Sequence, residues 1–397
     1  MENGSFLKGL TPLVSDGDSL RPERAYPGGD NLNRLFGVSR QREEGWYYPE
    51  AWLFSPIAAM HPGGCGVTKG LTLVYDSDGK PFPWDTYLEY HRDEVLGDKN
   101  LSLIVKLLDG AVTLPKEFHF REEDLQRLRS FPRMEGFRGT VIKPECWIRH
   151  PEPVYSADSS YVGFAENIGS EELAKLLHLP VHELESVMNS LVIAPWNGVY
   201  VPGGVVHSLG RGLYFEILAD GDLKVTLQAR FMGKELSSER RIGKLYTGDA
   251  AADLRKALEF IDYELTGEEL LRRCMLVPKR MDEYRSQIVR TPYFSGDWIE
   301  VPVGRQYTCR PDDLPHVMIA ASGRGTVIAE ASRVDVAKGA MGVESYLNGG
   351  SCYGAVVHAS TGECEIVNTG GEALVLLDAF PGCQVSQVGS AATRHEY

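Results

Sequence analysis

The alternation of apolar and polar residues predicts β-strands through much of the chain. An apolar run at 101–108 and the segment 112–120 have the length and composition of two successive strands. Within 139–149, every second residue shares one face of an extended chain. That face carries Val141, Lys143, Glu145 and Trp147. Similar patterns over 191–210 and 212–231 predict further strands.

Two stretches have helical spacing instead. Residues 170–190 predict a helix that Pro180 ends and a second short helix after it, and 250–283 predict another helical pair. In the second pair, Thr266 and Glu269 have the spacing of a capping box. After about residue 295, short strands alternate with glycine turns. This order predicts a mainly β protein with a helical insert: a β-barrel or sandwich core with a helical appendage, then a second β-domain.

Length, charge and cysteine content narrow the class of protein. A chain of 397 residues suits two or three domains, and its 41 Lys+Arg against 55 Asp+Glu give a net charge of −14. That charge argues against nucleic acid or an anionic membrane surface as the partner. No apolar run approaches the roughly 18 residues of a membrane span, and the N-terminus lacks the pattern of a secretory signal. Seven cysteines without a Cys-x-x-Cys pair predict free thiols, so we expect a cytoplasmic protein.

Four residues on the predicted strands have side chains that bind divalent metals. Glu117 and His119 are two positions apart on a strand, so both point to one face. Glu145 lies on the next alternating strand, and His207 ends the sequence Gly-x-x-x-Pro-x-Gly-x-x-His that begins at Gly198. Two imidazoles and two carboxylates on strands of one barrel could bind a divalent metal through nitrogen and oxygen.

Each of these residues also has an ordinary structural interpretation. Glu117 follows a lysine, and adjacent charges are common on exposed strands. His119 lies between two phenylalanines, as a packed core histidine would. Glu145 is harder to explain in this way, because burying an unpaired carboxylate among apolar neighbours is costly. His207, after its Pro-x-Gly turn, is the strongest single indication of a site.

Taken in order, these segments resemble those of the type I mannose-6-phosphate isomerases, and the element ending at His207 resembles the second cupin motif. The family carries Gln-x-His, then Lys-x-Glu, then Pro-x-Gly-x-x-His, then a Glu-x-x-x-Asn-Ser-Asp strand. The resemblance covers most of residues 26–285. The matching stretches are GGDNLNRLFG (28–37), EAWLFS (50–55), KLLDG (106–110), Glu117-Phe118-His119, Lys143-Pro144-Glu145, Pro202 to Ser208 and Phe215 to Asp222.

The resemblance implies a cupin-type β-barrel (jelly roll) followed by a second, degenerate cupin-like β-domain. In this division 1–165 and 193–247 form the metal-binding barrel, 166–192 and 248–290 are helical segments, and 291–397 form the second domain. It also implies a zinc ion, with another divalent metal such as Mn²⁺ or Fe²⁺ as an alternative. The implied ligands are Glu117, His119, Glu145 and His207.

The resemblance further implies a reaction, the metal-dependent interconversion of an aldose and a ketose through an enediol. The substrate would be a small sugar or sugar phosphate, such as mannose 6-phosphate and fructose 6-phosphate. By position, Lys143 and Asp222 resemble the residues proposed for proton transfer. Because Lys143 shares a strand face with Glu145, an ion pair between these two is an equally simple interpretation of Lys143.

Two positions depart from the family pattern. Glu117 stands where the family has glutamine, which adds a negative charge at the metal and weakens its pull on a carbonyl. An essential family arginine, counted along the chain without gaps, falls on Thr226. Lys224 or Arg230, on the same face of an alternating strand, could supply the missing cation, so Arg230 is included among the candidate catalytic residues.

Two other functions remain open at this point. One is a cupin metalloenzyme of another class, such as a dioxygenase or epimerase, although four protein ligands leave little room for dioxygen chemistry. The other is a non-catalytic sugar-binding or regulatory homologue, consistent with Thr226. In the C-terminal β-region, His316 and His358 lack paired ligand spacing, so we expect that region to pack rather than catalyse.

Overall fold

The computed structural model describes residues 7–17, 19–37, 47–59, 69–135, 140–152, 158–221 and 223–382. The strands are β1 (Leu10–Leu13), β2 (Glu50–Phe54), β3 (Leu73–Tyr75), β4 (Pro81–Pro83), β5 (Leu103–Gly110), β6 (Glu117–Phe118), β7 (Glu145–Arg149), β8 (Ser160–Phe164), β9 (Met188–Leu191), β10 (Gly198–Val201), β11 (His207–Ser208), β12 (Gly212–Ala219), β13 (Val225–Thr226), β14 (Arg230–Phe231), β15 (Lys234–Glu235), β16 (Met275–Leu276), β17 (Lys279–Arg280), β18 (Arg285–Arg290), β19 (Phe294–Val301), β20 (Gln306–Cys309), β21 (His316–Ser322), β22 (Arg324–Ala329), β23 (Ser332–Ala337), β24 (Gly354–Val357), β25 (Cys364–Asn368) and β26 (Leu374–Pro381). The helices are α1 (Asp30–Phe36), α2 (Trp84–Leu96), α3 (Leu125–Leu128), α4 (Ser170–Leu176), α5 (Val181–Ser186), α6 (Ser238–Ile242), α7 (Ala250–Leu258), α8 (Gly267–Cys274) and α9 (Val343–Leu347). Short 3₁₀ turns lie at Glu122–Asp124, Pro132–Met134 and Gly243–Leu245.

The chain divides into two compact units. Unit 1 comprises the described parts of Met1–Asp109, Tyr214–Ile217 and Val277–Tyr397, and unit 2 comprises those of Gly110–Leu213 and Leu218–Leu276. This division differs from the predicted one, which assigned the first 109 residues to the metal-binding barrel. The physical reason lies in unit 1 itself, where β1 pairs antiparallel with β24 along its whole length.

Unit 2 contains a five-stranded sheet in the order β13-β6-β11-β8-β9 and a second set in which β7 pairs with β10, and β10 with β16. The apolar stripes predicted for the helices pack into its core, because Leu173, Leu184 and Leu258 are buried there. The predicted break at Pro180 is also present, since this residue precedes the first turn of α5.

Unit 1 contains a seven-stranded sheet in the order β1-β24-β21-β26-β19-β18-β17 and a four-stranded sheet in the order β20-β25-β22-β23. Alternate residues of both sheets, such as Ile299 and Met318 from one and Val327 and Ile366 from the other, share a single apolar core. The prediction of a mainly β protein with a helical insert and a further β-domain near the C-terminus is confirmed.

One helix start differs from its prediction. Thr266 occupies the N-cap position of α8, but its side chain makes no capping hydrogen bond. The hydroxyl donates instead to Oδ1 of Asn167, at 3.0 Å. The spacing therefore located the helix, whereas the capping box itself does not form.

The described cysteines are buried and free, as predicted. They are Cys146, Cys274, Cys309, Cys352 and Cys364, and Cys65 and Cys383 lie outside the described residues. Across the described ranges, no helix is both long enough and apolar enough to span a membrane.

Candidate metal site

Three side chains of unit 2 cluster together, and a fourth, Glu145, contacts two of them. One donor atom each from Glu117, His119 and His207 lie within 4.8 Å of one another. Glu145 reaches both imidazoles: its Oε2 is 3.3 Å from Nε2 of His119, and its Oε1 is 3.2 Å from Nε2 of His207. The structure thus brings together the four residues that the sequence analysis selected as ligands.

Strand register places these side chains on one face. Glu117 on β6 is paired with His207 on β11 on one side and with Thr226 on β13 on the other. Directly opposed residues of antiparallel strands project to the same face of a sheet. Thr226, the position of the missing family arginine, is therefore the cross-strand neighbour of Glu117.

The Pro-x-Gly turn holds His207 against the strand that carries His119. Gly204 has a φ of +83°, which disfavours any residue with a side chain, and its N–H donates to the carbonyl of His119 at 2.7 Å. A Cβ on Gly203 would lie 2.6 Å from the carbonyl oxygen of Phe120. Both glycines are required because the backbone of the turn packs directly on the backbone that follows β6.

Backbone carbonyls orient both imidazoles. Nδ1 of His119 lies 3.0 Å from the carbonyl oxygen of Leu223, and Nδ1 of His207 lies 2.9 Å from that of Val205. A carbonyl can only accept a hydrogen bond, so each Nδ1 carries a proton, and in the neutral form of the ring the lone pair is then on Nε2. This second hydrogen bond is the usual arrangement for a metal-binding histidine.

Burial and neighbouring charges hold the site in this protonation state. His119 is 1% exposed, and burial, followed by the nearby Lys143, lowers the pKa of its imidazole to about 4. Burial alone would raise the pKa of Glu145, but Lys143 and the two imidazoles outweigh it and hold the pKa of that carboxyl well below its ordinary value. Near neutral pH the site therefore contains a neutral His119 and an ionised Glu145.

Lys143 is the buried cation beside the two carboxylate oxygens and imidazole nitrogens. Its Nζ donates to Oε2 of Glu145 at 2.7 Å and lies 3.3 Å from Nε2 of His119. Its side chain is only 7% exposed. Both interpretations of Lys143 from the sequence are compatible with this position, because it is an ion-pair partner of Glu145 and adjoins a second candidate ligand, His119.

The donor set fits a divalent cation. Nε2 of His207 lies 3.2 Å from a carboxylate oxygen, and this buried nitrogen makes no hydrogen bond. Two electron-rich atoms at that separation repel each other unless a positive charge lies close to both. Two imidazole nitrogens and carboxylate oxygens are the ligand types that Zn²⁺ takes in catalytic sites.

The two remaining predicted site residues are Arg230 and Asp222. Arg230 lies in the two-stranded β14–β15 hairpin, where its side chain is 73% exposed and pairs with Glu235 at 2.8 Å. The prediction that Arg230 lines the site is not supported, because the strand does not run on from Thr226 and the chain leaves the sheet before residue 230. Asp222 lies outside the described residues.

Gly221 and Leu223 contribute more to the site than the sequence indicated. A Cβ on Gly221 would lie 2.2 Å from the carbonyl oxygen of Ile142, so Gly221 packs against the chain leading to Lys143. Leu223 orients His119 through its carbonyl, and Nζ of Lys224 lies 2.7 Å from Oε2 of Glu117. Because Leu223 acts through its backbone carbonyl and not through its side chain, its role could not have been identified from the sequence.

Comparisons with known proteins agree with this architecture. No protein-family model matches the sequence, and curated protein sequences likewise give no match. Solved structures do match. A variant of phosphomannose isomerase from Salmonella typhimurium has a TM-score of 0.66 at 10% identity, over 94% of this chain and 99% of that chain. Mannose 6-phosphate isomerase from Bacillus subtilis has a TM-score of 0.60 at 16% identity, over 93% and 98%.

A third similar structure is that of a mannose 6-phosphate isomerase bound with zinc and yttrium. It has a TM-score of 0.65 at 11% identity and covers 94% of this chain and 100% of that chain. At these identities the likeness concerns the fold, which confirms the cupin-type architecture expected from the sequence. By its sheets, its helical insert and this similarity over nearly the whole length, the chain has the fold of the mannose-6-phosphate isomerases.

Proposed function

We propose that this protein is a metal-dependent aldose–ketose isomerase that acts on a small sugar or sugar phosphate. The observation that carries the proposal is the convergence of two imidazole lone pairs and two carboxylates beside a buried lysine. The fold similarity to mannose-6-phosphate isomerases, one of them a zinc-bound structure, supports both the reaction class and the choice of zinc.

Glu117, His119, Glu145 and His207 would hold the ion. A bound divalent ion would supply a Lewis acid for the carbonyl of a sugar. The backbone carbonyls of Leu223 and Val205 keep both imidazoles turned toward that position. The protein therefore fixes the ligand directions before any substrate arrives, which reduces reorganisation during the reaction.

Proton transfer between C2 and C1 of the sugar needs a group that can hold a proton next to the metal. Nζ of Lys143 is such a group, because it lies within 3.3 Å of two candidate ligands, His119 and Glu145. Asp222 remains a second candidate from the sequence resemblance alone. A positioned acid–base group contributes about 10²–10⁴-fold to the rate.

The test is a substrate panel with metal control. The full-length protein, stripped with a chelator and reloaded with Zn²⁺, is assayed on aldoses and ketoses with and without a 6-phosphate. Turnover and exchange of the C2 hydrogen with solvent are both followed. We expect zinc-dependent exchange on at least one sugar, whereas zinc binding without exchange on any sugar would contradict the proposal.

Two variants separate metal binding from proton transfer. His207→Ala should lose both zinc and activity, because an incomplete ligand set leaves the two carboxylates to repel each other. Lys143→Met should keep zinc and lose about 10²–10⁴-fold in turnover. Lys234→Met, on the exposed β15 strand, is the matched lysine control. Unchanged turnover in Lys143→Met would exclude this lysine from proton transfer.

A non-catalytic sugar-binding protein is the second candidate function. It is favoured by Thr226, which places a short neutral side chain opposite Glu117 where the family carries an arginine. In that case the panel would show sugar binding by calorimetry and no C2 exchange.

A further inference from the structure

The ion pair between Lys224 and Glu117 is absent from the family pattern described above. Nζ of Lys224 lies 2.7 Å from Oε2 of Glu117, and the approach is an ion pair without hydrogen-bond geometry. Glu117 is 13% exposed and Lys224 is 48% exposed. The lysine thus reaches from the protein surface to a mostly buried carboxylate of the candidate metal site.

The ion pair with Lys224 offsets the negative charge that Glu117 adds to the candidate ligands. Glu117 and Glu145 together bring two negative charges to the candidate ligands, where a glutamine at 117 would leave one. Lys143 lies 2.7 Å from Glu145, and Lys224 lies at the same distance from Glu117. Each carboxylate therefore has its own ammonium, and the charge of Glu117 is shared between Lys224 and any bound cation.

We propose that Lys224 is a positioning residue that makes Glu117 act on the metal as a nearly neutral ligand, in place of the family glutamine. The inference rests on the proposed metal-dependent function. Its chemical consequence is that the bound ion keeps the electron-withdrawing strength that a second full carboxylate charge would reduce. Lys224 acts through Glu117 and needs no contact with the substrate.

Zinc affinity measured without substrate tests this directly. Lys224→Met frees the Glu117 carboxylate and removes a nearby positive charge, so zinc should bind about tenfold more tightly, the lower end of what one close charge does to a buried ionisation. Glu117→Gln should weaken binding. In the Glu117→Gln background, Lys224→Met should change zinc affinity by less than about twofold. Without a carboxylate partner, the half-exposed lysine is expected to be solvated and to interact little with the ion.

The double-mutant cycle decides the outcome. Zinc affinity is measured by competition with a chromogenic chelator on the full-length protein, with Lys224→Arg as the charge-preserving variant and Lys234→Met as the control. The proposal is supported if Lys224→Arg and Lys234→Met bind zinc with wild-type affinity, and if the effects of Lys224→Met and Glu117→Gln on zinc affinity deviate from additivity by about fivefold or more. Equal effects of Lys224→Met in both backgrounds, or no effect in either, overturn it.

Three further results separate this inference from the proposed function and from a role in phosphate binding. If the wild type binds zinc but the cycle is additive, the inference fails and the metal site stands. If the wild type binds no zinc, both fail. If Lys224→Met leaves zinc affinity unchanged but raises KM for phosphorylated sugars only, Lys224 binds the phosphate instead and the charge-correcting role is overturned.

Discussion

In metal-free protein, Lys143→Met should destabilise the fold in a strongly pH-dependent way. The substitution removes the ammonium 2.7 Å from Glu145 and leaves a 2%-exposed carboxylate facing the lone pairs of His119 and His207. A buried carboxylate without a cation is costly enough that it takes up a proton instead. The cost of that uptake sets the size of the effect.

The magnitude follows from the ordinary pKa of a glutamate, 4.5. Holding Glu145 protonated at pH 7, while the unfolded chain has it ionised, costs at most about 3 kcal/mol at about 1.4 kcal/mol per pH unit, and less where His119, no longer beside an ammonium, takes up the proton. At pH 5 the same cost is below about 1 kcal/mol. The folded variant binds more protons than its unfolded state, so its stability relative to wild type falls as the pH rises. For domains of 150–250 residues, 3 kcal/mol corresponds to roughly 6–12 °C in Tm.

Thermal unfolding of chelator-treated protein at pH 5 and pH 7 measures this difference. Lys234→Met controls for loss of a lysine, and Lys143→Met/Glu145→Gln should recover most of the lost stability because it removes the uncompensated charge. Added Zn²⁺ should also restore Lys143→Met, since the ion replaces the missing positive charge. A Tm equal to wild type at pH 7, or the same loss at both pH values, would refute the reasoning.

Three further outcomes are expected. Gly204→Ala places a side chain at φ +83°, strains the turn by about 1–2 kcal/mol and should weaken zinc binding by displacing His207, as a chelator competition would show. Asp109→Ala removes the carboxylate that accepts hydrogen bonds from the backbone N–H groups of Asn31 and Leu32 at the start of α1. It should lower the free energy of unfolding by about 1–2 kcal/mol and increase amide hydrogen exchange in α1. Burial lowers the pKa of His358 to about 4. The folded protein therefore loses up to about 3 kcal/mol of stability as the pH falls from 6.5 toward 4, because the unfolded chain takes up a proton at this residue first. In a His358→Gln variant, the urea midpoint of unfolding should fall less steeply over that pH range.

The parts of the site whose chain is locally extended could be predicted from sequence, even where, as at Lys143, the strand itself begins two residues later. The two-residue period alone placed Lys143 on the face of Glu145, and their 2.7 Å contact agrees with it. Arg230 was misplaced for the same reason, because the alternation was extended through a stretch where the strand ends at Thr226. Periodicity does not show where a strand stops when neither glycine nor proline marks the end.

Contacts set by long-range register could not be predicted. The alternation indicated Lys224 as a possible cation of the site, but its contact with Glu117 depends on β13 lying beside β6 with Thr226 opposite Glu117, which joins residues more than a hundred positions apart. The contacts that group the first 109 residues with the C-terminal part of unit 1 are of the same kind. The pairing of β1 with β24 joins opposite ends of the chain, and no local pattern in either strand specifies it.

The pairing of β1 with β24 also determines the order in which the protein can fold during synthesis. Leu13 pairs with Gly354, so more than three hundred residues, including all of unit 2, leave the ribosome before β1 has its partner. At about 5–20 residues per second this interval lasts roughly 20–70 s. Unit 2 ends at Leu276 and can therefore fold while the nascent β1 still exposes an unpaired strand, the kind of edge that recruits other chains. Translation rate and chaperone supply should accordingly affect the yield of this protein more than that of one whose domains are continuous in sequence.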